Sequence, residues 1–111
     1  MTVSFIEREL RIDEQVHVLE FPIDVAFEHG GLVIVLFAPD SNLKKFGQFH
    51  NVIAVDRDGL LVWEAELPTS NTGDRYYKIA NRDPLTLYST QSYDVFLDPA
   101  SGRIIEKRFT K

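Results

Sequence analysis

Apolar residues in this chain recur in short runs, mostly at every second position, and the runs are cut by Asp, Gly and Pro. No window keeps apolar residues at helical spacing for three turns. In "LLVWEAEL" (60–67), Leu61, Trp63, Ala65 and Leu67 share one face while Glu64 and Glu66 share the other, the pattern of a strand with one wet side. "GLVIVLFA" (31–38) does not alternate, and its Val/Ile content predicts a central strand covered on both faces. Strands are expected near 3–12, 15–21, 23–28, 31–38, 51–56, 60–67, 76–81, 85–90, 93–98 and 103–110.

The punctuation between the runs fits that series. "EHGG" (28–31) supplies glycines that tolerate positive φ in a reversal. "DRDG" (56–59) and "DPASG" (98–102) each begin with Asp, which accepts bonds from the backbone two residues on, and end with Gly. Pro22, Pro39, Pro68 and Pro84 fall at strand edges or between strands, where a missing N–H does least harm. Two connections are longer, 39–50 and 68–75. Asp40 or Ser41 is placed to cap a short helical turn over "NLKKF" in the first, and long loops on a rigid sheet often carry function.

The chain also repeats itself. "NVIAVDRDGLLVWE" (51–64) and "YDVFLDPASGRIIE" (93–106) share a polar start, apolar alternation, Asp, turn, Gly, apolar run and Glu. Preceding segments match more loosely, so each unit reads as four antiparallel strands, roughly 23–67 and 76–110. "VIAVDRDGLLVW" (52–63), with Asp56, Gly59 and Trp63, resembles the blade motif of tryptophan-docking, quinoprotein-like β-propellers. "VFLDPASGRIIE" (95–106) follows it as far as Gly102 and carries Glu106 where the tryptophan would stand. The resemblance implies blade-like sheets. A closed propeller needs about four to eight blades, however, so two do not imply the central channel or its quinone cofactor. The expected architecture is one all-β domain over 1–111: an antiparallel meander of two four-stranded blade-like sheets packed together. An N-terminal β-hairpin over 3–21 extends one edge.

Hydrophobic residues make up 44% of the chain, enough for a core without disulfides or metals. The absence of Cys excludes thiol nucleophiles and zinc–thiolate sites. A net charge of −5, with basic residues mostly solitary or among acids, disfavours nucleic acid and anionic membranes as partners. "MTVSFIERELRIDEQ" puts Glu7, Arg8, Glu9 and Arg11 where a secretory leader would need an apolar run, and the expected location is cytoplasmic.

Several motifs invite a chemical reading. "DRDG" fails as a calcium loop, because Leu60, Leu61 and Leu67 occupy its fifth, sixth and twelfth positions, so a hairpin turn is expected. Trp63 is expected in the core. His17, His29 and His50 lack metal-ligand spacing, and no Gly-rich phosphate loop occurs, so neither a catalytic residue, a metal nor a cofactor is expected. Lys44, Lys45, Phe46, Phe49 and His50 in the first long loop combine rings with positive charge, as recognition surfaces do. The bland alternative is that the phenylalanines plug the sheet end. Asp74, Arg75, Tyr76 and Tyr77 form the second candidate; one tyrosine is expected buried and the other exposed, and a pairing with Tyr88 or Tyr93 is the simpler account.

The expected function is therefore a small acidic protein–protein interaction module without catalysis. Its partner would be another protein or a second copy, and one form of it resembles the immunity proteins that neutralise bacterial toxins. The alternative is a small-molecule or sugar-binding domain using Trp63, Tyr76 and Tyr77.

Overall fold

A computed structural model describes residues 1–42 and 47–110. The chain is all-β. Its strands are β1 (Val3–Ile6), β2 (Glu9–Ile12), β3 (Gln15–Val18), β4 (Ile23–His29), β5 (Leu32–Phe37), β6 (Val52–Val55), β7 (Leu61–Glu64), β8 (Tyr76–Arg82), β9 (Leu85–Ser89), β10 (Tyr93–Leu97) and β11 (Ile104–Phe109). They form three antiparallel meanders: β1-β2-β3, β4-β5-β6-β7 and β8-β9-β10-β11. The two four-stranded units expected from the repeat are present. Among the described residues no helix is long and apolar enough to cross a membrane.

The N-terminal segment differs from a hairpin. The run 3–12 breaks at Glu7 and Arg8, so that Ile6 pairs with Glu9, and a second reversal at Asp13 and Glu14 pairs Ile12 with Gln15. Glu7 and Asp13 take φ of 55° and 53°, as two-residue reversals between twisted strands require. Neither turn contains Gly, which is why the first break is not visible in the sequence.

Nor does this small sheet extend an edge. It packs on one face of the β4–β7 sheet, and the β8–β11 sheet packs on the other. β5 records the arrangement residue by residue: Val33, Val35 and Phe37 join Leu10, Ile12 and Val55 in one core, while Ile34 and Leu36 join Trp63, Leu87 and Val95 in the other. A strand between two apolar layers has no wet side, which accounts for the unbroken apolar run in "GLVIVLFA". The molecule is therefore a stack of three layers with two cores.

Both joints in the stack use the same device. In the 56–59 turn, Gly59 donates to the Asp56 carbonyl at 3.0 Å and Asp56 Oδ1 accepts from the amides of Asp58 and Leu60 at 2.9 and 3.0 Å. In the 98–102 turn, Gly102 donates to the Asp98 carbonyl at 2.8 Å and Asp98 Oδ1 accepts from Ala100 at 3.0 Å. The two glycines sit at φ 80° and 72°. A ring from the preceding layer lies against each: His17 of β3 covers Gly59, and Trp63 of β7 covers Gly102, so closely that a Cβ at either glycine would run into the ring. Trp63 Nε1 completes the second joint by donating to the Pro99 carbonyl at 3.0 Å. Trp63 is thus core, as expected, and "DRDG" is a reversal.

One facing assignment is corrected. Leu61 is 59% exposed rather than inward, because a bulge opposite Ala54 and Val55 pairs Trp63 with Ala54 but Leu61 with Val55. The extra residue turns Leu61 away from the core that Trp63 enters.

Candidate functional site

The stack buries the inner face of every layer and leaves two outer faces. Strand pairing fixes what the last sheet shows. Lys78 lies opposite Tyr88, Tyr88 opposite Asp94, and Asp94 opposite Arg108, so these four form one row across the sheet. Asn81, Thr86, Phe96 and Glu106 form the next row on the same face. Ile79, Leu87, Val95 and Lys107 form a row on the inner face. Tyr77, in a bulge of β8, is 50% exposed and leans its ring on Tyr88 at 6.0 Å between centroids. Arg108 stacks over Phe96 at 5.3 Å and pairs with Glu106 at 3.1 Å.

This outer face thus carries three rings, two cations (Lys78 and Arg108) and two anions (Asp94 and Glu106). It is locally neutral on a chain of net charge −5. Aromatic rings held by flat neighbours, with Arg among them, are the composition that anchors protein interfaces.

The other residues singled out from the sequence are placed differently. Lys44, Lys45 and Phe46 lie outside the described residues. Phe49 is buried and packs edge-on against Phe21 at 4.9 Å, inside the core shared by the first two layers. It plugs the sheet end instead of offering a surface. His50 contacts the Ala65 carbonyl through Nδ1 at 2.9 Å. Arg75 reaches over the Phe49 ring at 5.4 Å and donates to the Pro39 carbonyl, tying the two long connections together.

Asp74 is corrected from a partner-reading residue to a buried brace. It is fully buried and accepts from the Thr69 amide and hydroxyl at 3.2 and 2.7 Å and from the Ser89 hydroxyl at 2.5 Å. Tyr76 is likewise buried and donates its hydroxyl to the Glu66 carbonyl at 2.5 Å. Burial, followed by the nearby carboxylates of Asp74 and Glu66, pushes its phenol well above the ordinary tyrosine range. Of the nine candidates, the structure therefore brings Phe49, His50, Asp74, Arg75 and Tyr76 to the packed end of the stack. Among the described candidates, Tyr77 alone lies on the open face.

Sequence reasoning reaches Tyr88 only as a pairing partner and misses Lys78, Phe96, Asp94, Glu106 and Arg108. Their signal is alternation: Thr86 and Tyr88, Asp94 and Phe96, and Glu106 and Arg108 sit two apart in successive strands. Assembling them into one face requires the register.

Elsewhere, among the described residues, open grooves lie at the turn end. One of about 450 Å³ is lined by Ile12, Asp13, Glu14, Gln15, Arg57 and Asp58. Another, of about 460 Å³, is lined by His29, Gly30, Leu32, Val62, Pro99 and Ala100. Among the described residues no three His, Cys, Asp or Glu side chains gather as a metal site would require.

A family model described as "Domain of unknown function (DUF7957)" matches residues 1–109. No curated protein and no solved structure matches the chain.

Proposed function

We propose that this chain, which belongs to the DUF7957 family, is a protein-recognition module without catalysis and that the outer face of β8–β11 is its recognition surface. The observation that carries this reading is the uncovered row structure of that face. Tyr77, Tyr88 and Phe96 stand with Lys78, Asp94, Glu106 and Arg108 on a rigid four-stranded platform. Rings with few rotatable bonds, backed by a packed core, lose little entropy on binding. Supporting the likeness to a tryptophan-docking blade are the two ring-on-glycine joints, which recur with the repeat. We take the cytoplasm as the setting, on the acidic, cysteine-free composition.

Capture from an extract of the native host tests the reading. Tyr77→Ala with Phe96→Ala should lose a partner that Ile6→Ser with Val18→Ser, on the opposite outer face, retains. A partner kept by the first pair would refute this surface. If that partner is basic and is lost when Asp13, Glu14 and Asp58 are neutralised, an immunity-type role through the acidic turn end follows instead. The groove beside Val62 and Pro99 favours the small-molecule alternative. Stabilisation by a sugar or other small ligand in a thermal-shift screen, abolished by filling that groove with Ala100→Trp, would establish it.

A further inference from the structure

We infer that the occupant of the β8–β11 outer face is a second copy of this chain, stacked face to face about a two-fold axis. The inference rests on the recognition reading above and names its partner.

The first argument is charge. The chain as a whole carries −5, but the outer face of β8–β11 balances two cations against two anions, and its charges are ordered. An axis lying between two such faces and running across the strands superposes β11 on its copy with direction reversed. The row of Lys78, Tyr88, Asp94 and Arg108 then meets the row of Asn81, Thr86, Phe96 and Glu106 of the second copy. Arg108 of each copy faces Glu106 of the other, so the pair occurs twice, as an isologous interface demands. Lys78 faces the uncharged Asn81. The alternative axis, along the strands, would set Lys78 against Arg108 and is disfavoured.

The second argument is continuity. Two layers already stack on their neighbours within the chain, each by seating a ring on the glycine of the next turn. Growth by the same head-to-tail step is blocked at both ends. The repeat places Glu106 where Trp63 stands in the preceding unit. The turn it would meet on a further copy is that of Asp13 and Glu14, which has no glycine and two acids. Acid would face acid, and no ring would find a seat. An open filament built by that step is thereby disfavoured, while closed two-fold stacking of the last sheet is left available.

Sedimentation equilibrium on the intact chain across the micromolar range tests this. Wild type should show a reversible monomer–dimer equilibrium. E106R and R108E should each weaken association at least tenfold, since each sets like charges together twice. Both positions are more than half exposed, at 52% and 66%, so both variants should keep the wild-type circular dichroism. A one-to-one mixture of the two variants should associate again, because the E106R chain presents arginine at both positions and the R108E chain presents glutamate at both. That recovery cannot arise within either chain, where the exposed pair has been destroyed. A wild-type chain that stays monomeric, variants that associate as wild type does, or a mixture that stays monomeric would overturn the inference. A monomeric wild type that nonetheless loses a host partner through Tyr77→Ala would leave the recognition reading standing.

Discussion

Gly102 shows how narrowly single residues set the joints. It needs positive φ to close the 98–102 turn, and the indole of Trp63 occupies the space where a Cβ would go. Gly102→Ala should therefore cost about 2–4 kcal/mol, combining backbone strain with overpacking. Gly30 also has positive φ but has nothing within 4 Å of a Cβ, so Gly30→Ala should cost only about 1 kcal/mol. Urea denaturation of both variants measures the difference. A Gly102→Ala chain as stable as Gly30→Ala would mean that the joint is loose.

Tyr76 supplies a pH dependence. Its folded-state phenol titrates well above the unfolded value of about 10, so folding favours the neutral form. That contribution is fully present below pH of about 10 and is lost as pH rises beyond it, because the unfolded chain then gives up a proton the folded chain keeps. Tyr76→Phe should flatten the fall in stability between about pH 9 and 11. At neutral pH it should cost about 1 kcal/mol for the lost bond to the Glu66 carbonyl. An unchanged alkaline slope would contradict this account of Tyr76.

At the scale of elements, strand and turn are readable because each rests on local chemistry. β5 reads as doubly covered from its own unbroken apolar run, and the Asp-to-Gly reversals read from residues that bond their own backbone. What escapes are features set by partners. The break at Glu7 and Arg8 carries no Gly or Pro, and Leu61 changes face only because of a bulge. Asp74 and Arg75 look like surface charges in sequence, yet Thr69, Ser89 and Pro39 claim them once the loops meet. The joint between the second and third layers is testable at this scale. Trp63 is the chain's one tryptophan, so its emission reports that joint alone. Trp63→Phe removes the bond to Pro99 and part of the packing on Gly102, and should destabilise the chain by about 1–3 kcal/mol by circular dichroism in urea. A cost below about 0.5 kcal/mol would show that the ring's apolar bulk, not its docking, holds the layers.

For the whole molecule, the repeat makes two matching sheets legible, but not that a third layer lies across the first of them. That depends on which face the N-terminal strands choose, and both faces of β4–β7 are apolar. The candidate surface is half legible for the same reason. Tyr77 is recognisable in its own strand, whereas the rows it joins exist only after four strands are set in register. Stacking buries the inner faces and leaves the neutral aromatic face of the last sheet exposed, and the proposed recognition surface is that face. Hydroxyl-radical footprinting of the chain, dilute and in complex, reads that claim most directly. Tyr77, Tyr88 and Phe96 should be modified when the protein is free and protected when it is bound, with Phe5 unchanged. Protection of Phe5 and its neighbours on β1–β3 in place of those three rings would contradict it.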